Sequence, residues 1–233
     1  MRVGSVADPK PSTLVAADEP VDLIGDPERY VGRGGYKLDH AIERFSIAVK
    51  GRRAVDVGAS TGGFTDCLLQ RGATSVVAVD VGYGQIHERL RNNHRVQVVD
   101  RTNIRHVDPA ELGAPFDLVV ADLSFISIAL VAEALGGLGS EGSDWVILVK
   151  PQFEVGKGKV GKGGIVTDPD LHLEALEQAM RALERTGTGI VAVTESPITG
   201  ATGNREFLVH GRRGRSILDP GTVRAVVTGE EPT

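Results

Sequence analysis

The sequence predicts a doubly wound α/β fold, with a mostly parallel seven-stranded sheet, helices on both faces and an antiparallel pair of strands at one edge. Three observations lead there. From about residue 37 onward, short apolar runs alternate with helically spaced ones, the order that builds a parallel sheet. The apolar runs are rich in Val, Ala, Ile and Leu while aromatics make up only 4% of the chain, as strands covered on both faces prefer. The stretch Asp56-Val-Gly-Ala-Ser-Thr-Gly-Gly-Phe64 reads as the strand end, glycine turn and helix start that form the ligand-binding corner of such a sheet.

Residues 1–30 are Pro-rich, acidic and weakly patterned, an extension with a short strand or two around Ser12–Ala16. Leu38, Ile42 and Phe45 share one helical face, so Lys37–Phe45 is a helix. Strands are expected at Ala54–Val57, Val76–Asp80, Val96–Val99, Leu118–Asp122 and Trp145–Val149, with helical patterns over Phe64–Leu69, Gln85–Arg91 and Ile126–Leu138 between them. After a glycine-rich loop, Asp168 has the character of an N-cap and Pro169 of a first helical residue, opening a helix that runs to about Glu184. Ile190–Thr194 and Glu206–His210 follow with no helix between them, hence the antiparallel pair, and from Gly214 the tail is expected to fray. The chain thus divides into an extension (1–30), one catalytic-sized domain (31–212) and a tail (213–233).

At 233 residues and 41% hydrophobic, one core of this kind can be filled. The single Cys67 excludes an internal disulfide and fits a reducing compartment. No apolar run approaches membrane-spanning length and Met1-Arg-Val-Gly lacks a signal-peptide core, which points to a cytoplasmic protein with no membrane partner. The net charge of −5 argues against nucleic acid, but its distribution does not: Lys150, Lys157, Lys159 and Lys162 face only Glu154 in residues 150–162, and Arg29, Arg33 and Lys37 cluster without an acid. A local basic stripe suffices to hold phosphates. The histidines His87, His94, His106, His172 and His210 show no ligand spacing, so no metal is expected.

The glycine loop narrows the cofactor. Gly58, Gly62 and Gly63 do not make the G-x-G-x-x-G of a dinucleotide site, and Phe64 stands where a phosphate loop needs lysine. A wider loop, formed here by Gly58, Ala59, Ser60, Thr61, Gly62, Gly63 and Phe64, suits a nucleoside with an amino-acid tail, of which S-adenosylmethionine is the common one. Asp80 lies 22 residues past Gly58, at the end of the next strand, where an acid typically grips the ribose hydroxyls. Asp122 and Lys150 also end apolar strands. An acid and a lysine there are costly unless they pair or work. A plain structural ion pair is the bland alternative to a catalytic one.

Five motifs in order, Arg33-Gly-Gly-Tyr-Lys37-Leu, Asp56 to Phe64, Asp80-Val-Gly-Tyr-Gly-Gln85, Ala121-Asp-Leu-Ser-Phe-Ile-Ser127 and Val149-Lys-Pro-Gln-Phe-Glu-Val-Gly-Lys157, resemble the TlyA (hemolysin A) family, a branch of the FtsJ-like ribose 2′-O-methyltransferases. The resemblance covers about residues 31–212. It implies a Rossmann-like class I methyltransferase dependent on S-adenosylmethionine that modifies cytidine riboses in ribosomal RNA, acting on free RNA or ribosomal subunits. It also implies a catalytic tetrad of Lys37, Asp122, Lys150 and Glu206, with Lys150 favoured as base and Lys37 orienting the hydroxyl or phosphate. Asp122-Leu-Ser-Phe125 lacks the paired prolines of many amine methyltransferases, which favours oxygen. Family members begin with an S-four-type RNA-binding domain, of which only the closing part resembles Arg2-Val-Gly-Ser through Val21-Asp-Leu.

Asn103, in a turn after the third strand, is a candidate adenine contact or simply a turn former, and Tyr83 a candidate stacking residue. Asp122 borders the cofactor loop as well as the tetrad. Arg33, Gln152, Lys157, Lys159 and Lys162 are candidate substrate contacts, Gln152 because Gln152-Phe153 adjoins the basic run. Two other classes compete with the enzyme: an inactive RNA- or nucleoside-binding module on the same fold, and a membrane-active hemolysin. An intact set of four paired charges argues against the first, and the lack of an apolar span or basic amphipathic helix against the second.

Overall fold

The computed structural model describes residues 2–3, 6–7, 14–16, 18–22 and 28–230. Three two-residue strands, β1 (Arg2–Val3), β2 (Val6–Ala7) and β3 (Val21–Asp22), pair antiparallel in the order β2-β1-β3. Of the strand expected around Ser12–Ala16, residues 12 and 13 lie outside the described residues, and 14–16 are not in a strand.

The body is one seven-stranded sheet. Its strands are β4 (Arg53–Val57), β5 (Ser75–Val79), β6 (Val96–Val99), β7 (Phe116–Ala121), β8 (Gly139–Val149), β9 (Thr188–Glu195) and β10 (Phe207–Arg213). They lie in the order β6-β5-β4-β7-β8-β10-β9. The first five are mutually parallel, and β10 inserts antiparallel between β8 and β9. The expected antiparallel pair is present, with β9 as the edge and β10 one place in.

Two-residue periodicity splits the core between the faces of the sheet. Val55, Val57, Val119, Ala121, Trp145, Ile147, Phe207 and Val209 pack on one side with Leu176, Ala179 and Leu183, which belong to α6 (Pro169–Glu184). Ala54, Val76, Ala78, Leu118, Val120, Val146 and Leu208 pack on the other with Leu38, Ile42, Phe64 and Leu68, from α1 (Gly34–Arg44) and α2 (Gly63–Gln70). The shorter helices are α3 (Glu88–Arg91), α4 (Ala132–Gly137) and α5 (Pro151–Glu154). Asp168 caps α6, accepting from the Asp170 N–H at 2.9 Å, with Pro169 at the first position as its sequence predicts.

The helix expected over Ile126–Leu138 divides into a 3-10 turn at Ile128–Leu130 and the short α4. The tail does not fray throughout: α7 (Pro220–Thr228) is capped by Asp219 and buries Val223, Ala225 and Val227, joining the core that holds Leu176 and Met180. The segment carries too few apolar residues to announce a helix, and the surface left bare by α6 and β9 supplies the rest of its stabilisation.

Candidate active site

The chain leaves β4 for β5 and β6 on one side, then returns to β7 and β8 on the other. Strand order therefore reverses between β4 and β7, and a crevice opens at their carboxyl ends, where ligands of such sheets bind. Gly58 follows β4 with φ of +85°, and a Cβ there would stand 2.4 Å from the Asp122 carbonyl oxygen. Any side chain would close the crevice.

A cavity of about 410 Å³ occupies it, lined by Gly58, Ser60, Asp80, Gln85, Thr102, Asn103, Asp122, Ser124 and apolar neighbours. A smaller one of about 110 Å³, lined by Gly34, Gly58, Ala59, Ser60, Thr61, Gly63, Phe64 and Asp122, shares three of its residues. The cofactor candidates thus gather at one place, with one exception. Gly62, φ +96°, lines neither cavity, and a Cβ there would lie 2.3 Å from Leu90 Cδ1. A side chain there would collide with α3, so the glycine lets α2 seat against it.

Asp80 and Asp122 line the crevice, and Asp56 is buried close enough to feel both charges. Asp80 Oδ2 accepts from the Ser60 N–H at 2.8 Å and Oδ1 from the Gly82 N–H at 2.7 Å, so it shapes both loops that border the cavity as well as facing it. Asp56, fully buried, accepts from the Thr65 N–H (2.9 Å) and hydroxyl (2.7 Å) through Oδ2, while its Oδ1 has no partner. Burial pushes its carboxyl up to about 7, opposed by the bonds from Thr65 and assisted by the charges of Asp122 and Asp80. Asn103 lines the cavity, and its Oδ1 accepts from the Arg105 N–H at 3.1 Å, the bond of a turn former.

Lys37, Asp122, Lys150 and Glu206 are held as two ion pairs. Lys37 Nζ meets Glu206 Oε2 at 2.5 Å, and both residues are buried, at 6% and 3% exposure. Lys150 Nζ stands 2.6 Å from Asp122 Oδ1 and donates to Ser124 Oγ at 2.8 Å. The contact with Asp122 is an ion pair by distance without hydrogen-bond alignment, since Oδ1 has no hydrogen-bond partner. The fold brings the two pairs to one end of the sheet. Phe207 is opposite Val149 in the ladder, which sets Glu206 and Lys150 just beyond the same rung. Lys37 stands one helical turn after Gly34, where a Cβ would lie 3.8 Å from Asp122 Oδ2.

The substrate candidates scatter more widely. Gln152 lines a trough of about 710 Å³ with Phe125, Phe153, Leu130 and Val160, next to the cofactor crevice through Phe125 and Ile126. Phe125 is 90% exposed with φ of +66°, its ring 5.1 Å from that of Phe153. Arg33 is exposed at the start of α1, and Lys162 is exposed in the glycine-rich loop. Lys159 is engaged, its Nζ 2.6 Å from Glu174 on α6. The backbone of Lys157 forms a 3-10 turn with Lys159, and its side chain is outside the described atoms. Tyr83 is exposed beneath the Arg101 guanidinium, 4.1 Å from ring centre to Cζ. Ser124, Thr102 and the unpartnered oxygen of Asp56 escaped the sequence reading. Ser124 sits two residues past Asp122 in a motif that did stand out, and only its position made it visible.

The family model of FtsJ-like methyltransferases matches residues 30–213. This chain belongs to the FtsJ-like methyltransferase family. The five motifs pointed to the same assignment. The 16S/23S rRNA (cytidine-2′-O)-methyltransferase TlyA of Mycobacterium tuberculosis is 50% identical over 210 residues, covering 90% of this chain and 78% of that protein. Hemolysin A of Brachyspira hyodysenteriae is 42% identical, covering 78% and 76%. Among solved structures, a candidate hemolysin from Streptococcus thermophilus superposes with a TM-score of 0.84 at 37% identity, over 91% of this chain and 78% of that one. A Mesorhizobium loti S-adenosylmethionine-dependent methyltransferase shares the fold alone, with a TM-score of 0.55 at 17% identity over 75% and 96%. The FtsJ-like fold is therefore the Rossmann-like class I arrangement, and its methyl donor is S-adenosylmethionine.

Proposed function

We propose that this FtsJ-like enzyme methylates the ribose 2′-oxygen of cytidine in ribosomal RNA. The observation that carries the reading is the meeting of two lysine–carboxylate pairs at the strand ends, with Asp122 lining the cofactor crevice. The M. tuberculosis relative, a 16S/23S rRNA (cytidine-2′-O)-methyltransferase, supplies the substrate class.

The crevice fits the cofactor. Its opening depends on the missing side chain at Gly58, and its wall carries the Asp80 carboxylate. Both Asp80 oxygens already accept one backbone N–H each, leaving lone pairs for ribose hydroxyls. Thr102 and Asn103 would hold the adenine, and Gly58 to Thr61 with Asp122 would hold the amino-acid tail. When bound, S-adenosylmethionine supplies an electrophilic methyl group on a sulfonium. The protein must then hold the ribose oxygen in line and take its proton.

Lys150 takes that proton in this reading. A lysine does so only from its neutral state, with Asp122 and Ser124 fixing where its nitrogen points. Lys37, fixed by Glu206, orients the hydroxyl or the adjoining phosphate. Arg33, Gln152, Lys157, Lys159 and Lys162 contact the RNA around the site. The exposed Lys159–Glu174 pair is weak enough for a phosphate to replace. Such a substrate puts the protein in the cytoplasm. No helix among the described residues is long and apolar enough to cross a membrane.

The test is transfer of tritiated methyl onto free ribosomal RNA and onto both ribosomal subunits, followed by nucleoside digestion. Label should appear in 2′-O-methylcytidine. Label on a base, or in protein only, would overturn the proposal.

A further inference from the structure

Glu154 is a buried acid that the mechanism does not use. It is 8% exposed at the end of α5, and its partners are a hydroxyl and a backbone N–H, not a cation. The Ser127 hydroxyl donates to Oε2 at 2.6 Å and the Ile128 N–H donates to Oε1 at 2.9 Å. Burial pushes its pKa up against those two bonds. A carboxylate so placed is costly, and an apolar residue would fill the same space more cheaply.

Its position explains the cost. Two loops leave neighbouring parallel strands side by side: Asp122 to Ile128 after β7, and Lys150 to Glu154 after β8. Lys150 ties them at one end through Asp122 and Ser124, and Glu154 at the other through Ser127 and Ile128. The Phe125 and Phe153 rings touch between these ties. Together they close a ring running from Lys150 to Ser124, along the chain to Ser127, across to Glu154 and back to Lys150. Inside it Phe125 holds a left-handed backbone, φ +66°, which a bulky residue keeps only when its surroundings impose it.

We propose that Glu154 is a positioning residue for methyl transfer: by clamping Ser127 and Ile128 it holds the Ser124 hydroxyl where it fixes the Lys150 amine. The inference rests on the reading of Lys150 given above. Without the clamp the loop relaxes, Ser124 withdraws and Lys150 loses its only aligned hydrogen bond among the described residues. Displacement of a reacting group by about 1 Å can cost on the order of 100-fold in rate.

The test is a double-mutant cycle on kcat with full-length protein, using Glu154→Ala, Ser124→Ala and the double variant, with Lys150→Ala as reference. Each protein is assayed for methyl transfer well below its melting temperature, and cofactor Kd is measured by calorimetry. Glu154→Ala and Ser124→Ala should each lower kcat about tenfold or more, and the double variant should fall no further than the worse single one. Glu154→Gln should restore most of kcat, because its amide still accepts from Ile128 and donates to Ser127 Oγ. If Glu154→Ala does not fold, Ser127→Ala carries the test and should show the same loss of kcat. Independent, multiplicative effects, or a folded Glu154→Ala or Ser127→Ala enzyme with kcat within twofold of wild type, would overturn the proposal while a dead Lys150→Ala leaves the mechanism standing. An active Lys150→Ala enzyme would remove the mechanism itself.

Discussion

Replacing Lys150 separates catalysis from structure, because the two roles predict opposite results for one pair of variants. Lys150→Ala removes the cation 2.6 Å from Asp122 and the donor 2.8 Å from Ser124. The side chains are 11% and 21% exposed for Lys150 and Asp122, so water partly solvates the orphaned carboxylate and the fold loses only about 1–3 kcal/mol. Against a typical stability of roughly 5–15 kcal/mol, nearly all the protein stays folded, and unfolding cannot account for a large loss of rate. Losing a general base costs about 10²–10⁴-fold, or roughly 2.7–5.5 kcal/mol on the barrier. Lys150→Arg restores the ion pair and most of the stability, but a guanidinium does not give up its proton near neutral pH. The measurements are single-turnover methyl transfer, cofactor Kd by calorimetry and thermal melting for wild type, Lys150→Ala and Lys150→Arg. Both variants should bind cofactor within a few-fold of wild type and transfer methyl at least about 100-fold more slowly. A folded Lys150→Arg enzyme with near-wild-type transfer would reduce the Lys150–Asp122 contact to a salt bridge and refute the catalytic assignment.

Three further outcomes are expected. Asp80→Ala should weaken cofactor binding by one or two charge-assisted hydrogen bonds, roughly 1.5–3 kcal/mol each; since Asp80 also holds the Ser60 and Gly82 N–H groups, amide exchange should quicken in both loops, and unchanged calorimetric affinity would remove the adenosine-pocket argument. Changing Lys157, Lys159 and Lys162 together to Ala should flatten the salt dependence of RNA binding by a log–log slope of roughly 0.7–0.9 per lost phosphate contact without touching cofactor affinity, and an unmoved slope would make the loop a solvated surface. Asp56, raised by burial from the usual 3.8 to about 7, binds its proton more tightly folded than unfolded. Its share of stability is therefore present below about pH 4 and falls as pH rises to about 7. Urea titrations should show Asp56→Asn losing that slope, and an Asp56→Asn protein with the wild-type pH dependence would contradict it.

The local features were legible because they rest on neighbouring residues. Short apolar runs marked all seven main strands, Asp168-Pro169 marked the start of α6, and the glycines after β4 marked the corner. Gly62 looked like Gly58 because both need a positive φ, and only the structure shows that one sits against Leu90 and the other against the Asp122 backbone. The tail looked featureless because α7 owes its stability to the surface it covers.

Periodicity is blind to distance along the chain, and there the tertiary structure decided. The order of strands, with β10 slipped between β8 and β9, depends on which crossovers pack together. Lys37 and Glu206 are 169 positions apart, yet share one buried ion pair because α1 covers the face of the sheet on which β10 begins. The clamp of Glu154 on Ser127 requires two loops to leave adjacent strands in register. Such contacts are set by the register and crossover of whole elements, which no window of neighbouring residues encodes.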